Sequence, residues 1–98
     1  MKYKDLNKVK REYVKKFLNK LPKETLEHLI NHVLLLNDKE KKILTLFFVE
    51  SKAIKGVAFS LGFSNWYAGK LFGTVLLNVF DQIEKLYANM LIQQTPVK

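Results

Sequence analysis

The sequence predicts an all-α fold, a compact bundle of about five helices that contains a helix-turn-helix and closes with a long C-terminal helix. Three observations predict it. Apolar residues recur at three- and four-residue steps over most of the 98 positions, the spacing of amphipathic helices. No segment alternates with period two for long enough to make a strand. The periodic stretches are parted at Pro22, Asn37-Asp38, Ser51 and Gly62, most of them residues that stop or cap helices.

Over 5–21, Leu6, Val9, Tyr13, Phe17, Leu18 and Leu21 form an apolar stripe, and Lys8, Lys10, Arg11, Lys15, Lys16 and Lys20 take the remaining positions. The expected product is an amphipathic helix with a basic outer face. Pro22 favours a break after Leu21 and suits the first turn of the next helix, where Glu24 and Glu27 complement the helix dipole. Leu26, Leu29, Ile30, Val33 and Leu34 give that helix its stripe. Asn37 followed by Glu40 resembles a capping box, so a third helix is expected over 38–50, burying Ile43, Leu44, Leu46 and Phe47. A short helix over 53–61 precedes Gly62, and a longer one opens at Ser64, a good N-cap residue. From Phe72 onward Leu76, Val79, Ile83, Leu86 and Met90 follow in alternating steps of four and three residues. That is a coiled-coil-like seam, expected to pack on the amino-terminal helices or on a second copy as a homodimer. Residues 1–93 read as one domain, and 94–98, within QQTPVK, as a flexible tail.

Composition excludes several function classes. With no cysteine, disulfides, thiol nucleophiles and cysteine-based metal centres are ruled out, and a reducing, cytoplasmic setting is expected. The amino end lacks the apolar core of a signal peptide, and no apolar run reaches the roughly 18–20 residues of a membrane span. Asp5, Glu12, Asp38, Asp81 and Glu84 form no recognisable acid/base pair, and neither a glycine-rich phosphate loop nor a nucleophile elbow is present. No enzyme and no cofactor are expected. His28 and His32, with Glu24 a turn earlier, share a helix face, but the order is not that of a zinc protease and no fourth ligand is evident. They read as surface histidines, without a metal.

Net charge is +8, and residues 1–23 hold nine basic against two acidic side chains. A patch of that kind attracts polyanions, nucleic acid first. The motif that gives the patch a use is VAFSLGFSNWYAGKLF, Val57 to Phe72. A helix-turn-helix needs a small residue where its helices touch, a turn residue tolerant of left-handed geometry and apolar residues that lock the pair. Ala58 is the small residue and Gly62 the turn residue, while Val57, Leu61, Phe63, Ala68 and Leu71 occupy the locking positions of a motif over about 53–74.

Within residues 36–87, the run LNDKEKKILTLFFVESKAIKGVAFSLGFSNWYAGKLFGTVLLNVFDQIEKLY resembles the fourth region of sigma factors and related small phage regulators of the ArpU and RinA kind. Leu46 to Ser51, Ile54 to Ala58 and Leu61 to Ser64 match the family phrase LxFVEGKSIKEIAxxLGxS. The resemblance implies a phage or mobile-element transcriptional regulator that binds duplex DNA. It departs from the family in the second helix, where relatives carry several charged residues and this chain has one, Lys70. The base-reading candidates are Ser64, Asn65, Trp66, Tyr67, Gly69 and Lys70. An asparagine suits an adenine edge, a lysine suits guanine or phosphate, and an aromatic ring covers a thymine methyl. The phosphate-contact candidates are Lys8, Arg11, Lys15, Lys16, Lys52 and Lys55. The same charge-poor, aromatic helix also suits a protein interface. An interaction module acting on RNA polymerase, a sigma factor or another nucleic-acid enzyme is the alternative expectation.

Overall fold

The computed structural model describes the backbone of residues 3–94 and the side chains of residues 6–89. Five helices succeed one another, α1 Tyr3–Asn19, α2 Lys23–His28, α3 Asp38–Leu44, α4 Ile54–Leu61 and α5 Asn65–Gln94, with no strand among the described residues. α2 and α3 each run into a π-helical turn, Leu29–Val33 and Thr45–Val49. Of the tail expected at 94–98, Gln94 ends α5 and the remainder lies outside the described residues.

α5 is the spine. Phe72, Val75, Leu76 and Val79 are buried along it, and α1, α3 and α4 pack against it. On α1 the buried residues are Val14 and Leu18, with Phe17 and Leu21 packed beside them. Leu6, Val9 and Tyr13, expected in the core stripe, are exposed. The reason is angular. At about 100° per residue, Leu6, Tyr13 and Val9 lie roughly 80–140° around the helix from Val14, and α5 covers only the Val14 side. Tyr13 reaches back far enough to set its ring edge-on to Phe80, 5.8 Å between centroids.

Pro22 is the N-cap of α2, with its carbonyl accepting from the Leu26 N–H at 2.9 Å, one position earlier than the first-turn placement expected. Leu26, Ile30 and Leu34 are buried and Val33 is exposed. The capping box at α3 is complete: the Glu40 N–H donates to Asn37 Oδ1 at 2.8 Å and the Asn37 N–H donates to Glu40 Oε1 at 2.9 Å. After Ile43 and Leu44 the buried pair is Phe48 and Val49, while Leu46 and Phe47 are only half-buried. A π turn accounts for the shift. The Glu50 N–H donates to the Thr45 carbonyl five residues back, at 3.0 Å, so the turn holds more residues than an α turn and the inward face recurs after five.

The loop between α2 and α3 is fastened to α5 by Gln82. Its Oε1 accepts from the Leu35 N–H at 2.7 Å and its Nε2 donates to the Leu35 carbonyl at 3.0 Å. After the π turn that follows α3, Ser51 takes the left-handed region at φ 58°, and the Lys52 N–H donates to the Leu46 carbonyl at 3.0 Å. Beyond Val79 the seam leaves the core: Ile83 is half-buried and Leu86 is exposed. The Met90 side chain lies outside the described residues. No described helix is long and apolar enough to cross a membrane.

Candidate nucleic-acid interface

α4 and α5 pack on each other across a three-residue turn, the helix-turn-helix arrangement. Its local causes are visible. Gly62, at φ 73°, ends α4, and the Phe63 N–H donates to the Ala58 carbonyl at 2.8 Å. This is the closure that a left-handed residue after a helix permits. Ser64 then caps α5, its Oγ accepting from the Tyr67 N–H at 3.1 Å. Val57, Ala58 and Ala68 are buried and Leu61, Phe63 and Leu71 are half-buried, while Gly62, the turn residue, is exposed. Two alanines there let the backbones come close, as bulkier side chains would not.

The base-reading candidates separate into two groups. Asn65, Trp66, Gly69 and Lys70 line one shallow hollow with Gly73 and Arg11. Trp66 is 71% exposed, and Lys70 Nζ lies 5.4 Å from its ring centre, a cation–π contact. Tyr67 faces elsewhere. Its ring meets Phe63 edge-on at 4.9 Å, and Lys39 Nζ sits 5.6 Å and 6.0 Å from the two rings. Tyr67 therefore braces the turn against α3, and the Ser64 hydroxyl is engaged as a cap. The readable set narrows to four residues.

Cations line the two hollows that share Asn65. Arg11, the one arginine of the sequence, crosses from α1 along Gly73, where a Cβ would stand 3.4 Å from the Arg11 Cδ. That is ordinary van der Waals contact, so Arg11 packs against this part of α5 without depending on the glycine. Gly69 has nothing within 4 Å of its Cβ position and faces open space. Lys8 and Lys15 lie within about 60° of Arg11 around α1, at roughly 100° per residue, and belong to its side. Lys16 is roughly 140° away by the same measure, so the fold does not bring it to this face. Lys15 also has Glu12 Oε1 at 3.8 Å, a surface pair too weak to hold it. Lys52 and Lys55 line the second hollow with Asn65, Phe59 and Phe63.

Phe59, unremarked in the sequence, is 89% exposed there. The signal was present: Ile54, Val57, Ala58 and Leu61 make the inward stripe of α4, and Phe59 falls outside it. Lys39 carried no comparable signal, since its partners Phe63 and Tyr67 come from the turn and the start of α5. His28 and His32 stand 5.2 Å apart between ring centroids, both exposed. No group of three metal-ligating side chains occurs among the described residues. Comparison of the chain with protein-family models, curated proteins and solved structures finds no match.

Proposed function

We propose that the chain is a DNA-binding transcriptional regulator of phage or mobile-element type, acting in the cytoplasm through a sigma-region-4-like helix-turn-helix. One observation carries the reading: the exposed residues Asn65, Trp66, Gly69 and Lys70 share a hollow with Arg11, and Asn65 also belongs to a second hollow lined by Lys52 and Lys55. A recognition helix needs base-contacting groups at its first turns and phosphate-contacting cations on both flanks. In this reading the start of α5 enters the major groove. The Asn65 amide pairs with an adenine edge, Lys70 with guanine or a phosphate, and Trp66 covers a thymine methyl. Arg11, Lys8 and Lys15 meet phosphates on one flank, and Lys52 and Lys55 meet them on the other.

The test is duplex binding by fluorescence anisotropy with random and genomic fragments. Five phosphate contacts give a slope of about −4.5 in log K against log salt, so affinity falls by a factor on the order of 10² to 10³ between about 50 and 200 mM. Arg11→Ala or Lys55→Ala lowers affinity alike for all fragments and flattens the slope by about one. Asn65→Ala or Lys70→Ala reorders the fragments. Absence of duplex binding at low salt overturns the reading.

A second reading, a module that binds RNA polymerase, a sigma factor or another nucleic-acid enzyme without reading sequence, is favoured by the exposure of Phe59 and Trp66 together. Large exposed aromatics are the anchors of protein interfaces. Retention of such a partner that is lost in Phe59→Ala and Trp66→Ala, with no duplex binding, selects it.

A further inference from the structure

We propose that a second copy of this chain docks, about a two-fold axis, on the open apolar groove between α1 and the outer half of α5. The groove is walled by Leu6, Val9 and Tyr13 from α1 and by Phe80, Ile83 and Tyr87 from α5. Four of these six, Leu6, Val9, Tyr13 and Tyr87, are exposed. Apolar groups that could have faced the core are instead gathered on one continuous surface, and such patches mark interfaces. Half of the α5 seam, Phe72, Leu76 and Val79, is used inside the fold. The other half continues past the core in the same heptad phase, with Ile83 and Leu86 still to be covered.

Charge identifies the occupant. The edges of the groove carry one cation and one anion, Lys10 and Glu84. They are not paired with each other, the one ion pair among the described residues being Lys15 with Glu12. Lys10 Nζ lies instead over the Phe80 ring, 5.3 Å from its centre. In a two-fold interface residue i meets j and j meets i. A two-fold axis set midway between Lys10 and Glu84, in the groove that Ile83 also lines, brings Lys10 to the partner's Glu84 and Glu84 to the partner's Lys10. The surface is complementary to itself in sign, with Ile83 among its apolar walls. A membrane surface would be met by cations alone at the edges, which Glu84 opposes. None of the groove residues belongs to the Asn65 to Lys70 face, so the association stands or falls separately from the DNA reading.

The experiment is sedimentation equilibrium on the full chain and two charge-reversal variants, Lys10→Glu and Glu84→Lys, with circular dichroism to show that each keeps its helices. Wild type gives a species of twice 11.5 kDa at micromolar concentration. Each variant alone faces like charge twice across the axis and shifts to the 11.5 kDa species, with dissociation at least about tenfold easier. An equimolar mixture of the two pairs opposite charges at both contacts and restores the dimer at the same total concentration. An intramolecular role for either residue does not produce rescue by mixing. Wild type that remains at 11.5 kDa up to about 100 μM, or a mixture that stays monomeric, overturns the proposal. So does a monomer that partitions onto anionic vesicles through Val9 and Tyr87.

Discussion

Two small residues at the start of the helix-turn-helix leave stability unclaimed. Ser51 holds a left-handed conformation, φ 58°, which costs a residue with a Cβ about 1–2 kcal/mol relative to glycine. Set against the larger entropy that glycine loses on folding, Ser51→Gly is expected to raise unfolding free energy by about 0.5–1 kcal/mol. Ala53 occupies the N-cap of α4 with no side-chain hydrogen bond, and Ala53→Ser is expected to add about 1 kcal/mol. Urea unfolding of both single variants and the double checks the pair. By contrast Gln82, which clips both polar groups of Leu35, was not legible in the sequence. An amide on a helix surface carries no sign of a partner 47 residues away, and only the folded path of the α2–α3 loop supplies one. Gln82→Ala is expected to cost about 1 kcal/mol, with faster amide exchange at Leu35.

At the scale of the element, periodicity located all five helices but misplaced part of the inward face of two of them. The expected stripe on α1 is right at Phe17, Leu18 and Leu21, but Val14 takes the inward place in the first half of the helix while Leu6, Val9 and Tyr13 are exposed. Periodicity reports that a face is apolar. It does not report which of two adjoining apolar faces a neighbour will cover. The third helix was misread for another reason, since α spacing was extended through Thr45–Val49, where the chain takes a π turn. The difference is measurable: Phe48→Ala is expected to cost about 3–5 kcal/mol, the range for a buried phenylalanine, and Phe47→Ala less. If the two losses were reversed, the helix would have kept α spacing in solution. The turn at Gly62 was legible because left-handed geometry after a helix has few sequence solutions. Gly62→Ala is expected to destabilise by about 1 kcal/mol or more and, by moving α4 against α5, to weaken any ligand that touches both.

At the scale of the whole molecule, the long-range assembly of the basic face was the least legible part. Arg11 and Lys55 are far apart in sequence, and nothing local says that the two come to hollows sharing Asn65. The fold does so because α1 and α4 both pack on α5, which makes α5 the common reference for the Asn65–Lys70 face, the nearby cations and the apolar groove. α5 runs unbroken from Asn65 to Gln94. Asn65 and Ile83 stand 18 positions apart on it, about 27 Å at 1.5 Å per residue. A rod of fixed length and fixed phase is a ruler. In the proposed dimer, joined through the groove that Ile83 lines, the two proposed DNA-contacting ends stand at most about 54 Å apart, and successive major-groove faces of B-DNA recur every 34–36 Å or so. One crossing angle between the rods satisfies that repeat, and a helix without a hinge does not adjust to another. Separating the two half-sites of an operator by about five extra base pairs, half a helical turn, is therefore expected to reduce binding to that of a single reading head.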